Sequence, residues 1–264
     1  MKKTLIKLHW LLSSQFGFDP LKLIRSIRAL PGFILESLAF RKAYSGPIKW
    51  VPCLHDRFQE GGTTKDEYFL QDLTVARWIF DAQPRRHVDV GSRVDGFVAH
   101  VASFREIEVF DVRPVSSKIP GMVFRQADLS QPVDLHGGVR STCDSLSCLH
   151  ALEHFGLGRY GDAIDPEAHV SGMRNMLALL EAGGTFYLST PVGAERVEFN
   201  ANRVFDPRTL VALGLENGLS LRRLCIISDG VVRENDTSPE ALAALAERSY
   251  GLGLFEFEKT QSGN

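Results

Sequence analysis

From residue 64 onward, the hydrophobic positions alternate between helical spacing and the short apolar runs typical of buried strands. A helix is expected over about 64–83, where apolar residues recur every three or four positions after the capping pair Thr64 and Glu67. Short apolar runs bounded by turn residues then predict seven strands. They lie at about 87–91, 106–112, 122–129, 143–149, 185–191, 219–228 and 251–259.

Helical stretches separate most of these strands, as in a mostly parallel sheet with helices on both faces. Further helices are expected at about 94–104, at 166–184 ending at Gly183 and Gly184, after Pro207, and at 238–248. The last strand alternates apolar and acidic residues, as a half-exposed strand does, so an antiparallel orientation of this strand stays an open alternative. The sequence therefore predicts an α/β domain over residues 51–264.

The first fifty residues form a basic segment with two amphipathic helices, at about 2–13 and 20–42, and Pro31 would kink or divide the second. Their apolar positions are Leu5, Ile6, Trp10 and Leu12, then Leu23, Ile27, Leu30, Ile34 and Leu38. Residues 1–50 contain nine Lys or Arg against two acids, so their net charge is +7 and that of the remainder is −9. Two interpretations stay open: a helical cap on the domain, or a surface through which residues 1–42 contact anionic lipid or a lipid-linked substrate.

Composition narrows the class of protein. Lys7 interrupts the apolar run at the start, no small-residue cleavage site follows, and no stretch reaches the roughly 18 apolar residues that span a membrane. The four cysteines are scattered, so neither a disulfide framework nor a zinc site is predicted. We therefore expect a cytoplasmic protein, which the basic segment could bring to the inner face of the membrane.

Three acids stand at the predicted carboxyl ends of strands, where open parallel sheets bind ligands. Asp89 belongs to the first strand, Asp111 ends the second, and Asp128 ends the third. Asp111 follows Gly91 by about 20 residues, the separation at which a carboxylate binds ribose hydroxyls. Asp128 would lie near an adenine amino group. The turn after the first strand lacks the Gly-x-Gly-x-x-Gly of a pyrophosphate site, so a cofactor with adenosine and no phosphate is favoured.

The order Asp89-x-Gly91, Asp111, Asp128-Leu129, SLSCLHALEHF and GGTFYLSTP resembles class I S-adenosylmethionine-dependent methyltransferases over roughly residues 64–259. The resemblance implies a Rossmann-like fold and S-adenosylmethionine as cofactor. It implies cofactor binding by Asp89, Gly91, Ser92, Arg93, Gly96, Asp111, Asp128, Leu129 and His150. Arg93 and Asp95 stand where that family has its second and third glycines. Arg93 either binds the methionine carboxylate or lies on the surface of a distorted turn.

The richest polar segment is HALEHFGLGRYGDAIDP, residues 150–166. In a helix, His150 and His154 would share one face with Glu153 beside them. His-x-x-Glu-His also matches an inverted zinc-peptidase signature, but glycines break the helix at once, so a metal site is not expected. A structural histidine pair and metal-assisted methyl transfer remain alternatives. We expect His154 to be the general base and Glu153 to orient it or line the cofactor pocket, with Asp162 as the second choice for the base.

Two further segments are predicted to bind the acceptor: a polar cluster of Arg159, Tyr160, Asp162 and Asp165, and then Asn200, Asn202 and Arg203. With GLGLFEFEK, these segments resemble an uncharacterised methyltransferase-like family often associated with bacterial surface-polysaccharide biosynthesis. That resemblance implies a carbohydrate acceptor, either a small molecule or a glycan.

The sequence thus favours O-methylation of a sugar in a glycan or polysaccharide precursor. The first alternative is an inactive methyltransferase-fold scaffold in the same biosynthesis. A nicotinamide-dependent oxidoreductase is disfavoured because Ile164, not Lys, stands four residues after Tyr160. Nucleic acid is not an expected substrate because the catalytic portion is acidic. Protein methylation stays open.

Overall fold

The computed structural model describes residue 9, residues 11–131 and residues 143–260. The chain divides into two compact units, Met1–Thr63 and Thr64–Asn264, called here unit 1 and unit 2. Most of the helix predicted over 2–13, including Leu5, Ile6 and Trp10, lies outside the described residues, which show a π-helical turn at Leu11–Gln15.

Unit 1 contains one long helix, α1, Pro20–Ala43. Asp19 begins it by accepting hydrogen bonds from the backbone N–H groups of Leu21 and Lys22. The helix predicted over 20–42 is confirmed, and it continues through Pro31 without dividing. Besides the π-helical turn at Leu11–Gln15, the described part of the unit contains a short 3₁₀ turn, His55–Phe58.

An eight-stranded sheet forms the middle of unit 2, in the order β3-β2-β1-β4-β5-β10-β8-β9. Its strands are β1 His87–Val90, β2 Ile107–Asp111, β3 Met122–Gln126, β4 Cys143–Leu149, β5 Leu180–Val192, β8 Leu219–Ser228, β9 Val231–Asn235 and β10 Gly251–Lys259. Strands β1 to β5 pair in parallel, and β10 pairs antiparallel with both β5 and β8. A separate hairpin joins β6, Arg196–Glu198, to β7, Asn202–Val204. The mostly parallel α/β sheet and the antiparallel final strand are confirmed.

Two local predictions need correction. The sheet has eight strands rather than seven, because VVREN of β9 pairs with β8 at the sheet edge; its exposed and charged residues suit an edge strand and hide it from a search for apolar runs. The helix predicted over 166–184 ends at Ala178, and Leu180 already pairs with Cys143 of β4. Gly183 therefore lies within β5 and does not end the helix.

Helices cover both faces of the sheet. They are α2 Glu67–Ala82, α3 Ala99–Ala102 after a π-helical turn at Val94–Val98, α4 Ala168–Ala178, α5 Pro207–Glu216 and α6 Pro239–Ala246. Side chains alternate between faces along each strand, so Val88 and Val90 join the apolar cluster that includes Met173 of α4. Val109 of β2 joins the other cluster, with Ile79 of α2.

A buried chain of polar groups crosses β1 and β4. His87 lies 2.8 Å from the Ser145 hydroxyl through Nδ1 and 3.1 Å from the Ser147 hydroxyl through Nε2. Ser147 donates its only proton to Asp89, at 2.5 Å, so His87 donates from Nε2 and accepts from Ser145 at Nδ1. Burial lowers the pKa of His87 to about 3 and raises the pKa of Asp89 to about 7. The histidine is thus held neutral inside the fold.

This neutrality makes stability depend on pH. An unfolded histidine has a pKa near 6.5, so between pH 3 and 6.5 the unfolded chain binds a proton at His87 that the folded chain does not. The contribution of His87 to the free energy of unfolding therefore falls as pH falls below 6.5, by about 2 kcal/mol between pH 7.5 and 5.0. Urea unfolding at both pH values should show the wild type losing about that much more than His87→Gln. Asp89 contributes to the pH dependence of the free energy of unfolding with the opposite sign, since its raised pKa favours the folded state as pH falls. This contribution is present in both the wild type and the variant. Equal losses in the two proteins would contradict the assignment.

Candidate active site beyond the carboxyl ends of β1 to β4

A cleft of about 550 Å³ opens in unit 2 at the carboxyl ends of β1, β2 and β3 and against the loop after β4. This volume is in the range of small-molecule sites. Ten of the predicted site residues line it: Gly91, Arg93, Asp111, Asp128, Leu129, His150, His154, Arg159, Tyr160 and Asp162. Tyr68 of α2 and Arg113 after β2 also line it and were not predicted. The topology therefore brings most of the predicted polar residues to one edge of the sheet.

Asp89 lies beneath the cleft and does not line it. Its fully buried carboxyl group accepts hydrogen bonds from the backbone N–H of Ser92, at 3.1 Å, and from the Ser92 hydroxyl, at 2.6 Å. The Ser92 hydroxyl in turn accepts from the backbone N–H of Leu149. Gly91, between them, has a φ of +73°, and a Cβ atom there would lie 2.9 Å from that of Ala151. Asp89 and Ser92 thus fix the turn, and Gly91 lets it pack closely against the loop after β4.

The backbone conformation of Arg93 explains why this turn needs fewer glycines than the corresponding turn of the family that the sequence resembles. Its φ of −66° and ψ of 125° are extended values that any residue adopts. The guanidinium pairs with Asp95 at 2.9 Å and lies over the Tyr68 ring, 5.1 Å from its centroid. Arg93 is therefore a half-exposed residue at the rim of the cleft. Gly96 lies against the Asp72 carboxylate and is not among the cleft residues.

Asp111, at the end of β2, is paired with Arg113. Oδ1 accepts from the backbone N–H of Arg113 at 2.8 Å and from its Nε at 3.0 Å, and Oδ2 accepts from Nη2 at 2.6 Å. A carboxylate offers about four acceptor positions, so Oδ2 retains one. The same guanidinium lies over the Tyr160 ring, 4.6 Å from its centroid. Arg113 thus links Asp111, which is predicted to bind ribose, to the loop after β4.

Asp128 and Leu129 line the cleft beyond β3. The Asp128 carboxylate accepts from the backbone N–H of Ser130 at 2.9 Å and so fixes its own turn. Asn175 of α4 donates to the carbonyl of Leu129, also at 2.9 Å. This anchor was not predicted, because it joins the loop to a helix more than forty residues later.

The helix expected after β4 is a single 3₁₀ turn, Leu152–His154, and His150 precedes it with a φ of +53°. Even so, Glu153 lies between the two histidines: its Oε1 is 4.0 Å from Nε2 of His150 and 3.9 Å from Nε2 of His154. These distances are too long for hydrogen bonds. Oε1 has no hydrogen-bond partner among the described residues, and Oε2 accepts from Thr190 at 3.4 Å. Glu153 is fully buried behind the cleft lining.

Burial sets the protonation of these three groups. It lowers the pKa of His150 to about 3 and that of His154 to about 4, and the positive charge of Arg159 adds to both effects. It raises the pKa of Glu153 to about 8. His150 donates from Nδ1 to the side-chain oxygen of Gln71 at 3.0 Å, which leaves Nε2 as an acceptor. At neutral pH, both imidazoles are therefore uncharged, and Glu153 is mostly protonated.

Three predicted acceptor-binding residues do not line the cleft: Asn200, Asn202 and Arg203. The Arg203 guanidinium is buried and donates to the carbonyls of Glu153, Phe155 and Pro166, at 3.3, 2.6 and 3.1 Å. It therefore holds the loop after β4 in place. Asn202 donates to the carbonyl of Arg203, and Asn200 is exposed beside the hairpin.

The acceptor candidates in the cleft are Arg159, Tyr160 and Asp162. Arg159 donates to the carbonyl of Ala201 at 2.7 Å and lies 3.3 Å from Nδ1 of His154. Asp162 accepts from the backbone N–H groups of Gly158 and Tyr160, both at 3.1 Å. Within the part of the chain that the structure describes, no group of three or more His, Cys, Asp or Glu is arranged to hold a metal ion.

Comparison with known families gives one match. Residues 126–216, about a third of the chain, match the family described as Caenorhabditis protein of unknown function, DUF268. These residues include β4 and the loop with both histidines. No curated protein matches the sequence.

Solved structures resemble the chain more broadly. The N-methyltransferase NodS from Bradyrhizobium japonicum WM9, in complex with S-adenosylhomocysteine, has a TM-score of 0.52 and 14% identity over 86% of this chain and 98% of its own. A second NodS structure has a TM-score of 0.51 and 12% identity over 77% and 100%. CalS10, an amino pentose methyltransferase from Micromonospora echinaspora, has a TM-score of 0.48 and 13% identity over 81% and 100%. With the strand order of its sheet, the likeness to NodS shows that this chain has the fold of the class I S-adenosylmethionine-dependent methyltransferases.

Proposed function

We propose that the protein is an S-adenosylmethionine-dependent methyltransferase that methylates a sugar hydroxyl in a glycan or polysaccharide precursor. One observation carries the proposal: the turn at Gly91, the carboxylate of Asp111 and the segment Asp128-Leu129 all line a single cleft large enough for a nucleoside and an acceptor. They follow three neighbouring strands of the sheet, β1, β2 and β3.

The residues present fit the cofactor. The remaining acceptor position on Oδ2 of Asp111 would bind a ribose hydroxyl, and Asp128 with its neighbours would meet the adenine. The turn at Gly91 presents backbone without a side chain in the way. Arg93, at the rim, supplies a positive charge for the methionine carboxylate. The bound cofactor would supply an electrophilic methyl group on a positively charged sulfur.

His154 is the proposed general base. A hydroxyl oxygen that bonds to a methyl group must lose its proton, and a neutral imidazole can accept it. Because Glu153 is uncharged, it does not favour the imidazolium form, and the pKa of His154 stays near 4. Arg159, Tyr160 and Asp162 would bind the other hydroxyls of the acceptor, which suits a small sugar or a lipid-linked one. Because a hydroxyl must lose its proton when it is methylated, a neutral imidazole in the cleft favours a hydroxyl as the methyl acceptor.

The second candidate is a catalytically inactive scaffold for polysaccharide biosynthesis. The pair of Asp111 with Arg113 favours it, because three of about four acceptor positions on the carboxylate are already used. A cofactor would have to use the last position or displace the guanidinium. Cofactor binding therefore separates the two candidates.

We expect S-adenosylhomocysteine to bind the wild type and Asp111→Ala to weaken binding about tenfold or more, since a hydrogen bond to a charged group is lost. Isothermal titration calorimetry measures both affinities, and thermal unfolding checks that the variant folds. Asp81→Ala is the matched control, because Asp81 is exposed on α2 and pairs only with Arg77 among the described residues. Absence of binding to the wild type at high micromolar concentration would favour the scaffold.

We expect His154→Gln to lower kcat by about 10²- to 10⁴-fold, as loss of a general base does, with little change in S-adenosylhomocysteine affinity. The assay follows transfer of a labelled methyl group to nucleotide-sugars and polyprenyl-linked sugars. His55→Gln, in unit 1, is the matched control. Full turnover by His154→Gln would remove the proposed base.

The pH profile tests the same residue independently. Since burial keeps the pKa of His154 near 4, the base is already deprotonated at pH 5, and turnover should stay nearly constant between pH 5 and 7, where the neighbouring Glu153, with a pKa of about 8, stays protonated. Initial rates across this range measure the profile. A fall in rate centred near pH 6.5, the pKa of an ordinary histidine, would show that a different or more exposed base acts.

A further inference from the structure

Helix α1 carries an exposed stripe of apolar side chains. Seven large aliphatic residues recur along it every one to four positions, with exposed fractions between 43% and 68%. At 3.6 residues per turn they fall within about 140° of the helix circumference. We call them the apolar stripe: Leu23, Ile24, Ile27, Leu30, Ile34, Leu35 and Leu38. A helix of a soluble domain normally turns such a stripe toward a core.

Unit 1 packs on the other side of this helix. Arg57, from the 3₁₀ turn, forms an ion pair with Glu36, and the guanidinium of Arg28 lies 5.1 Å from the ring centroid of Phe58. Gly32 faces the same turn, since a Cβ atom there would lie 2.7 Å from Nη1 of Arg57. The contacts within the unit therefore use the charged side and leave the apolar stripe facing outward.

Positive charge accompanies the stripe. Helix α1 contains five basic residues, Lys22, Arg25, Arg28, Arg41 and Lys42, and one acid, Glu36, which is already paired. Over residues 1–63 the sequence has ten Lys or Arg against four Asp or Glu, a net charge of +6, whereas residues 64–264 have −8. Long basic side chains beside an apolar face can reach lipid phosphates while their methylene groups stay in apolar surroundings.

We propose that α1 binds the surface of an anionic membrane, with its apolar stripe at the boundary of headgroups and acyl chains and its basic residues on lipid phosphates. Contact with a second copy is disfavoured, because it would bring two units of charge +6 together, whereas an anionic bilayer neutralises them. The helix would lie along the surface: no described helix is long and apolar enough to cross a bilayer. The proposal does not depend on methyl transfer.

Co-sedimentation of the full chain with vesicles tests it. The wild type should bind vesicles of phosphatidylcholine and phosphatidylserine at least about tenfold more tightly than phosphatidylcholine alone, and added salt should reduce the difference. The triple variant Ile27→Gln, Ile34→Gln, Leu38→Gln should lower binding about tenfold or more, because less apolar surface leaves water. The control variant Leu73→Gln, Leu215→Gln, Val231→Gln changes exposed apolar residues of unit 2 and should bind as the wild type does.

Charge is tested separately with Lys22→Ser, Arg41→Ser, Lys42→Ser, which should weaken binding to anionic vesicles by about fivefold per residue. Each variant is also titrated with S-adenosylhomocysteine, since unchanged affinity shows that unit 2 is intact and keeps the two proposals distinct.

Three results would overturn membrane binding. The first is a wild type that does not bind anionic vesicles, or a stripe variant that binds as well as the wild type. The second is a concentration-dependent dimer in analytical ultracentrifugation that the stripe variant abolishes, which would assign the stripe to a second copy. The third is a lower urea midpoint of the stripe variant without vesicles, which would show that the stripe packs within this chain as a helical cap.

Discussion

The buried carboxyl group of Asp89 connects the interior of the sheet to the cleft. It accepts hydrogen bonds from Ser92 on the turn and from Ser147 on β4, and Ser147 contacts His87. A buried carboxyl group without partners costs several kcal/mol (order of magnitude), so any movement of the turn that broke these bonds would be unfavourable. The position of Gly91 at the cleft is therefore set by a polar chain inside the core.

The cleft combines a charged half with an uncharged one. Near β2, Asp111 and Arg113 form an ion pair, and Arg93 pairs with Asp95 at the rim. Next to β4, burial leaves His150, Glu153 and His154 without net charge at neutral pH. In the proposed reaction, the charged half would bind the cofactor, and the neutral imidazole of His154 would accept the proton of the acceptor hydroxyl.

The sequence correctly predicted the features that follow from local residue patterns. Apolar runs predicted seven of the eight strands of the main sheet, and Asp111 and Asp128 lie in the cleft because acids at parallel strand ends share an edge. The sequence predictions failed where the role of a residue depends on its tertiary contacts. The polar run that contains Arg203 suggests a ligand site. In the structure, the guanidinium of Arg203 instead donates hydrogen bonds to three backbone carbonyls. The low pKa of His154 follows from burial, which no spacing of residues reveals.

The insertion of β10 between β5 and β8 governs the order in which the sheet can be completed. Strand β5 pairs with β10 from Thr185 to Val192, but β10 is made some sixty residues later on the ribosome. Until then, the parallel half of the sheet exposes a long apolar edge at β5, and the β8–β9 hairpin cannot join it. Such an edge invites pairing with other nascent chains. The edge of β5 therefore stays unpaired until β10 has been made, and only then can β8 and β9 join the sheet.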